Sequence, residues 1–358
     1  MKSSQCAVGE GGKIGLTALV MVGLLNVGPA LADPLVRQAA GANAAAIQAA
    51  VDQFRADLGG PSKGNAVGTQ PAGRREINWD GGGAAAPSAL FPSPMPTFQA
   101  RGATFITPGS GFSISGQPTP EFAEINPSYP GLFTSFSSPR IFTALNSNVS
   151  ETVFHVPGNP AVPAAVTGFG AVFTDVDGEF STKMEFYAPD GTLLYEQFVP
   201  WVAGDGTLSF LGVSFDAGEL VSRVRIISGN AAPGPDETGS LDLVMMDDFI
   251  YGEPVATQGL TVTPESGRIF RTAGFDLVLG IQLPAGLSLT EGRVWLDGAD
   301  VTAFLLSCFK PGAGGGGQTF SCSIPGSTLA AGDHTLQVEI TLSDQSRRRN
   351  AVRWTVIP

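Results

Sequence analysis

The chain has 358 residues and carries 32 acidic and 20 basic side chains, which gives a formal net charge of −12 at pH 7. This negative charge makes nucleic acids and anionic membranes poor partners, and it makes cations better ones. Because the sequence contains 47 glycines, 27 prolines and 23 phenylalanines, it favours short strands joined by turns, and we predict an all-β protein.

The N-terminal residues 1–32 have the pattern of a cleavable secretory signal. A basic start at Lys2 and Lys13 is followed by an apolar run, residues 14–27, and by small residues before Asp33. The apolar run is shorter than the roughly 20 residues that a membrane-spanning helix needs, and later segments do not reach that length. We therefore expect a secreted or periplasmic protein with no integral membrane segment in the mature chain.

The cysteines support the same compartment. Cleavage of the signal would remove Cys6 and leave Cys308 and Cys322. An even number of cysteines in an oxidising compartment predicts a disulfide. The two residues flank a glycine-rich loop, residues 311–317, so the bond would close a hairpin.

Residues 33–60 are predicted to form one amphipathic helix. Ile47, Val51, Phe54 and Leu58 follow each other at spacings of three and four, which is the period of a helix with one apolar face. The helix would cap the following domain or, alternatively, bind a partner.

Residues 61–96 are rich in glycine and proline and predict a linker, with one island at residues 74–81. This island contains Ile77 and Trp79 among charged side chains, which a flexible linker would not ordinarily carry. We expect it to dock on the next domain as a first strand or an ordered arm.

Two regions of short strands follow, residues 97–254 and 255–358. The first predicts an antiparallel jelly-roll β-sandwich, and the second, with about a hundred residues, predicts a smaller immunoglobulin-like β-sandwich. The clearest strand-like runs in the first region are residues 168–174, 182–188, 192–199, 207–215, 220–228 and 241–251. Those in the second region are residues 260–263, 275–283, 292–296, 319–324, 334–342 and 351–357.

Catalytic motifs are absent from the sequence, so no catalytic residue is assigned. There is no G-x-S-x-G or H-E-x-x-H pattern and no cysteine–histidine spacing typical of zinc sites. His155 and His334 are the only histidines, and they fall in different predicted domains. We interpret both as structural residues and predict a protein that is not an enzyme.

Two acidic clusters suggest calcium. Asp175, Asp177 and Glu179 stand in one tight turn, where closely spaced oxygen ligands suit this cation; a solvated turn is the alternative. Asp247 and Asp248 interrupt an apolar strand. Neighbours on a strand point to opposite faces, so one of the two must point inward unless a bulge intervenes. An inward carboxylate needs a metal, an arginine or several N–H groups as partner.

Three segments resemble jelly-roll carbohydrate-binding and galactose-binding-like modules of exported bacterial proteins: residues 168–177, 185–191 and the strand 244–251 with its acidic pair. In such modules a structural calcium commonly ties the last strand to an early segment. The resemblance therefore implies Asp247 or Asp248 as a ligand, with partners from the early segment. Those partners would be Glu76, Asn78 or Asp80.

The same resemblance raises the question of a sugar site. Trp79, Tyr129 and Trp201 are the candidate ligand-binding aromatic residues. Residues 294–302 are similar to bacterial immunoglobulin-like domains, which usually act as spacers or adhesive modules and carry no catalytic residues.

Three hypotheses of function follow. The first is a secreted, non-enzymatic binding or surface protein that binds a glycan or another envelope or extracellular polymer and is stabilised by calcium. The second is a glycan-active hydrolase or lyase that uses paired carboxylates. The third is a purely structural envelope protein in which neither domain binds a ligand.

Overall fold

The computed structural model describes residues 34–117, 120–216, 218–270, 274–283, 286–308, 310–314, 317–325 and 328–357. The predicted signal, residues 1–32, lies outside the described residues. Within the described part the protein is mostly β, with two α-helices, which confirms the predicted all-β class. The helices are α1 (Ala44–Asp57) and α2 (Thr302–Cys308).

The strands fall into three groups along the chain. The first group is β1 (Leu35–Gly41), β2 (Arg74–Ile77), β3 (Ala89–Phe91), β4 (Ala103–Ile106), β5 (Gly111–Ile114), β6 (Phe142–Leu145), β7 (Val149–Val156) and β8 (Asn159–Ala165). The second is β9 (Gly168–Thr174), β10 (Lys183–Tyr187), β11 (Leu193–Phe198), β12 (Leu208–Ser214), β13 (Arg223–Ile227), β14 (Met245–Gly252) and β15 (Val255–Ala256). The third is β16 (Leu260–Thr263), β17 (Gly267–Phe270), β18 (Phe275–Ile281), β19 (Leu289–Leu296), β20 (Ala299–Asp300), β21 (Lys310–Gly314), β22 (Gly317–Ile324), β23 (Gly332–Leu342) and β24 (Arg347–Ile357).

The first two groups build a sandwich of two facing sheets. One sheet has the order β1-β12-β9-β14-β6-β5-β3, with β2 also paired to β14. The other runs β11-β10-β13-β7-β8, with β4 paired to β7. The pairs between these strands are antiparallel, and a large apolar core that includes Trp79, Phe142, Phe169, Phe186 and Phe249 lies between the sheets. Each of the six strand-like runs predicted between residues 168 and 251 contains one strand.

Helix α1 covers the outer face of the first sheet, as its apolar spacing predicts. Ile47, Val51 and Phe54 pack on outward-facing residues of β9, β12 and β14. The Phe54 ring lies over Gly170 and Gly212, which are directly opposite each other in neighbouring strands. A Cβ atom added at Gly170 or Gly212 would lie 2.8 or 2.6 Å from this ring. The two glycines thus form the seat of the helix, and this explains why β9 and β12 are buried on both faces.

The predicted start of this helix is wrong. Residues 35–41 form the edge strand β1, which pairs with β12 along its whole length. The apolar period that predicts a helix begins only at Ile47, and Asn43 marks the true start, because its side chain accepts a hydrogen bond from the backbone N–H of Ala46 at 3.3 Å.

Residues 61–73 are held against the first sandwich by a buried ion pair. The Arg75 guanidinium is fully buried and donates to both carboxylate oxygens of Glu253, at 2.8 and 2.7 Å. It also donates to the carbonyl oxygens of Gly64, Ala66 and Gly68. One side chain of the island therefore fixes the segment that the composition describes as a linker.

The third group of strands forms a second sandwich. One of its sheets has the order β16-β18-β22-β21, and β24, β23, β19 and β20 form the other. The core between them includes Leu279, Val338 and Trp354. Strand β15 pairs with β8 of the first sandwich and with β24 of the second, so hydrogen bonding of the sheet continues from one sandwich into the other.

The predicted disulfide is present between Cys308, at the end of α2, and Cys322 in β22, with a Cα–Cα distance of 5.3 Å. The bond links the end of α2 to the second strand of the hairpin β21–β22, so β21 lies between the two cysteines. Helix α2 itself has no counterpart in the predictions, since only one N-terminal helix is expected from the sequence. In the described residues no helix is long and apolar enough to cross a bilayer.

His334 provides a pH-dependent contribution to the stability of the second sandwich. Its Nδ1 lies 2.7 Å from a carboxylate oxygen of Asp297, and this contact raises the pKa of His334 above its usual value. The folded state therefore binds the proton more tightly than the unfolded chain, whose histidine pKa is about 6.5. The stabilisation is fully present below pH about 6.5 and is lost as the pH rises through the higher pKa of the folded state.

We accordingly expect the thermal midpoint of the second sandwich to decrease as the pH is raised from neutral to mildly alkaline. We expect His334→Gln to remove this dependence of the midpoint on pH. Differential scanning calorimetry at a series of pH values measures both. Equal slopes for the two proteins would show that the His334–Asp297 contact contributes no stability.

Candidate functional site

The acidic pair Asp247–Asp248 lies at a β-bulge. Met246 pairs with Phe173 and Phe249 pairs with Ala171, so β14 has one residue more than β9 across this interval. A bulge of this kind lets two consecutive side chains leave the strict alternation of a strand. Both aspartates are accordingly buried.

Asp247 anchors the loop that precedes β6. One of its carboxylate oxygens accepts the backbone N–H groups of Phe136 at 2.6 Å and Ser137 at 3.1 Å. Its own carbonyl oxygen accepts the indole N–H of Trp79 at 3.0 Å. Burial, and next the neighbouring charge of Asp248, raises the pKa of Asp247 well above its usual value.

Asp248 faces helix α1 and the early segment. It accepts the hydroxyl of Ser137 and lies 3.4 Å from the Arg55 guanidinium, which also pairs with Glu76 at 3.0 Å. Asn78 and Asp80 are close by: the Asn78 side chain donates to Asp80 at 2.8 Å, and the Ser137 hydroxyl is 3.4 Å from the Asn78 carbonyl oxygen. The last strand and the early segment thus meet here, and their acidic groups already have N–H, hydroxyl and arginine partners.

A second acidic cluster, which we call the acidic pocket, lies elsewhere in the first sandwich. Four loop carboxylates contribute to it: Asp175 and Asp177 after β9, Asp205 before β12, and Glu237 in the loop before β14. Asp177, Asp205 and Glu237 line a cavity of about 330 Å³ together with Asp242. The Asp242 carboxylate shapes this pocket by accepting the backbone N–H groups of Asp177 at 3.3 Å and Gly178 at 2.8 Å.

The deepest member of the acidic pocket is Asp175, whose side chain has an unsatisfied oxygen. The residue is 1% exposed. Its Oδ1 accepts the backbone N–H of Gly206 at 3.2 Å, but its Oδ2 has no donor. Burial, and next the contact with the Glu237 carboxyl, raises the pKa of Asp175 to about 9. Burial also raises the pKa of Glu237.

The structure therefore divides the calcium ligands predicted from the sequence into two groups. Asp247 and Asp248 lie near Asn78 and Asp80, whereas Asp175 and Asp177 belong to the acidic pocket. Glu179 is exposed. No group of three or more His, Cys, Asp or Glu side chains among the described residues is arranged as a ready-made metal site.

Sequence reasoning missed Asp205, Glu237 and Asp242. Glu237 is separated from Asp175 by a long stretch of chain, and no local spacing reveals that the two residues meet. The Gly204-Asp205-Gly206 turn is the one available signal, because Gly206 donates its N–H to Asp175 and Gly204 donates its N–H to Asp177 at 2.8 Å.

The three candidate ligand-binding aromatic residues have different positions. Trp79 is in the core, where its ring stacks on Phe142 with 3.8 Å between ring centroids. Tyr129 is fully buried in a smaller apolar cluster. Neither ring offers a face to a ligand in solution. Trp201 is 46% exposed.

Two further exposed aromatic residues, which the sequence did not single out, lie on chain segments next to that of Trp201. Phe180 is 65% exposed and Phe198 is 38% exposed, and their rings contact each other edge to face with centroids 5.0 Å apart. Trp201 belongs to the segment that runs beside Phe180, because Val199 and Val202 donate backbone N–H groups to Thr182 and Val176. We call Phe180, Phe198 and Trp201 the aromatic surface.

The backbone at Phe180 is unusual. This residue has φ of 65°, in the left-handed region that bulky residues seldom adopt. Such a conformation costs free energy, of order 1–3 kcal/mol, and is often found at functional positions. Here it holds an exposed ring next to the acidic pocket, since Gly178 lines that pocket two residues earlier.

Comparisons with known proteins leave the family open. No family model matches the chain, and no curated protein matches it. Among solved structures, an endo-β-1,4-mannanase from Thermotoga petrophila matches at 10% identity and a TM-score of 0.22, over 28% of this chain and 19% of the mannanase. This chain thus spans about a fifth of the mannanase.

Two further solved structures match longer parts of the chain. The fibronectin(III)-like modules of CbhA from Clostridium thermocellum match at 10% identity and a TM-score of 0.20, over 59% of this chain and 86% of theirs. The N-terminal domain of the Streptococcus gordonii adhesin Sgo0707 matches at 9% identity and a TM-score of 0.19, over 81% of this chain and 90% of its own. Scores of this size carry no argument about function. The fold of the described residues defines an all-β protein built of two sandwiches.

Proposed function

We propose that the protein is a non-enzymatic binding protein that holds carbohydrate chains on the aromatic surface. The observation that carries this proposal is the placement of its exposed aromatic rings. Among the described residues of the first sandwich, Phe180, Phe198 and Trp201 are the exposed large aromatic side chains, and the segments that carry them run side by side. The other aromatic side chains of this sandwich are at least half-buried.

Exposed aromatic groups are costly without a partner. Burial of apolar surface lowers the free energy by about 25 cal/mol per Å², and surface that stays in water does not gain this stabilisation. Clustered exposed apolar side chains therefore often mark a binding site. Sugar rings have C–H faces that stack on aromatic rings and hydroxyl groups that donate to carboxylates. The aromatic surface and the adjacent acidic pocket offer both kinds of contact. An open surface of this kind suits a chain, which can extend beyond the site at both ends.

Variants of the aromatic surface test the proposal. The wild-type protein is first screened on an array of polysaccharides and cell-wall glycans, and the best ligand is titrated by calorimetry. We expect Phe180→Ala and Trp201→Ala each to weaken binding about tenfold, equivalent to about 1.4 kcal/mol. Phe304→Ala is the matched control, since Phe304 is 58% exposed but lies on α2 of the second sandwich.

Two results would contradict the proposal. If no glycan retains the wild-type protein, the carbohydrate ligand is wrong and the structural hypothesis is favoured. If a glycan binds but Phe304→Ala weakens it as much as Trp201→Ala does, the aromatic surface is not the site.

A glycan-active hydrolase is the second candidate, and one observation favours it. The acidic pocket contains an acid with a raised pKa, Glu237, next to the carboxylates of Asp177 and Asp205, and glycosidases use such unequal pairs. This hypothesis predicts release of new reducing ends from the bound glycan and loss of that activity in Glu237→Gln. A binding protein releases none.

A further inference from the structure

A cavity of about 480 Å³ lies beside the early segment of the first sandwich. Its lining comes from residues 78–81, from β3 and β5, from the turn before β4 and from Arg140 in the loop before β6. We call it the arginine cavity, after Arg101 and Arg140. Small-molecule sites usually have volumes of about 300–1,000 Å³, so the arginine cavity has room for a ligand.

The two arginines of this cavity differ from the others of the first sandwich. Residues 34–256 contain eight arginines, and six of them form ion pairs with carboxylates: Arg37, Arg55, Arg74, Arg75, Arg223 and Arg225. Among the described residues, no carboxylate forms an ion pair with Arg101 or Arg140, although the chain has more acidic than basic side chains. The two guanidinium groups that lack such a partner therefore line the same cavity.

Arg140 is buried, and the groups that its guanidinium contacts are neutral. The residue is 5% exposed. Its guanidinium donates to the carbonyl oxygens of Gly81, Pro87 and Ser115 at 2.6, 2.9 and 2.5 Å. A guanidinium has five N–H groups, so these three bonds leave two of them for another acceptor. Buried charges are normally paired with an opposite charge, and an anion in the cavity would supply it.

Arg101 stands over an aromatic wall of the cavity. Its Cζ lies 5.6 Å from the centre of the Phe98 ring. Its Nε donates to the side-chain oxygen of Asn65 at 2.8 Å, and its Nη1 donates to the carbonyl oxygen of Glu76 at 2.5 Å. Both acceptors are again neutral. Phe98 and Phe91 are half-buried and line the cavity, which thus combines cationic N–H donors with aromatic side chains.

The lining has one positive charge in excess, and this excess indicates the charge of the ligand. Asp80 is the one carboxylate among the described lining residues. Its Oδ1 accepts the backbone N–H of Arg140 at 3.1 Å, and its Oδ2 accepts the side chain of Asn78 at 2.8 Å. Two guanidinium groups and one carboxylate are balanced by a single negative charge. A carboxylate carries that charge and matches the planar fork of arginine, whereas a phosphate monoester carries about −1.5 to −2 near neutral pH.

We propose that the arginine cavity binds a small ring compound that carries one carboxylate. The carboxylate pairs with Arg101 and Arg140, and the ring packs against Phe91 and Phe98. An aromatic acid and a sugar acid share this chemistry. The proposal does not depend on glycan binding by the aromatic surface.

Calorimetric titration of the full-length mature protein with benzoate and with glucuronate tests the site. We expect at least one of these acids to bind, with one molecule per chain. Its neutral counterpart, benzamide or glucose, should bind about tenfold more weakly or less, because it cannot form charge-assisted hydrogen bonds with arginine. No binding of either acid would overturn the proposal, and so would equal affinity for the neutral counterpart. Tighter binding of inorganic phosphate would overturn the choice of a carboxylate.

Two variants locate the ligand in the cavity. Arg101→Gln removes a half-buried guanidinium, and we expect it to weaken binding of the acid about tenfold. Ala89→Phe narrows the cavity without changing a charge, since Ala89 is half-buried in β3 and lines the cavity, and we expect a similar loss. The thermal midpoint of each variant shows whether it folds as the wild type does.

Two controls should bind the acid within about twofold of the wild type. Arg223→Gln removes a half-buried arginine that pairs with Glu151 in the other sheet, and Trp201→Ala removes an aromatic ring of the aromatic surface. Equal weakening by Arg223→Gln and Arg101→Gln would show a nonspecific effect of charge and overturn the proposal. Loss of binding in Trp201→Ala with no effect of Arg101→Gln would place the acid on the aromatic surface, which overturns this proposal and leaves the proposed function standing.

Discussion

Replacing Arg75 by methionine is expected to lower the free energy of unfolding of the first sandwich by about 3–5 kcal/mol, the usual effect of removing one partner of a buried ion pair. The Glu253 carboxylate would remain buried without its countercharge. The carbonyl oxygens of Gly64, Ala66 and Gly68, which accept hydrogen bonds from Arg75, would lose their donor. Urea unfolding followed by tryptophan fluorescence measures the change.

The double variant Arg75→Met, Glu253→Met separates the two contributions. Removing both charges leaves no unpaired group of the ion pair, so we expect a loss smaller than the sum of the two single losses. Arg353→Met is the control, because Arg353 is half-buried and its ion pair with Asp333 lies in the second sandwich. A loss below about 1 kcal/mol for Arg75→Met would show that residues 61–73 are not held by this side chain.

Asp247→Ala and Asp247→Asn are expected to differ strongly in stability. Alanine leaves the N–H groups of Phe136 and Ser137 without an acceptor, and each unsatisfied buried group costs about 1–3 kcal/mol. We therefore expect a loss of about 2–6 kcal/mol for alanine. Asparagine keeps a carbonyl oxygen for both N–H groups and carries no charge. Because burial already favours the uncharged form of Asp247, we expect asparagine to change stability by less than about 1 kcal/mol.

The comparison also tells a structural aspartate from a metal ligand. Thermal and urea unfolding measure stability. Titration of the wild type and of Asp247→Asn with calcium tests the role as a calcium ligand that the sequence predicts for Asp247. If Asp247→Asn is as destabilising as Asp247→Ala, the negative charge of Asp247 is required for stability. The Asp247 carboxylate then has a partner other than the N–H groups of Phe136 and Ser137.

The strands were predictable because their side chains alternate or form short apolar runs between turns. The runs at residues 168–174 and 207–215 match β9 and β12 almost residue for residue. Helix α1 was predictable from Ile47 onwards, where the apolar period begins. Strand β1 was not, since its stability comes from pairing with β12, which is far away in sequence.

The sites were predictable only where the residues concerned are close in the chain. The turn with Asp175 and Asp177 stands out locally, but Glu237 reaches it through the fold. The role of Asp247 depends on a bulge, and a bulge is a property of the register between two strands. Trp79 belongs to an island that the sequence predicts to dock, and it is also a candidate ligand-binding residue. The pairing of β2 with β14 places its ring in the core, where it offers no face to a ligand.

The seat formed by Gly170 and Gly212 makes solubility depend on α1. Val172, Leu208, Phe210 and Ile250 face outward from the first sheet, and the helix is what shields them from water. A single methyl group at either glycine would push the Phe54 ring off the sheet and leave an apolar strip on a flat β surface. The sandwich behind that strip has its own core, so a chain in this state would keep its strands. It would associate with other copies of the chain through the exposed apolar strip.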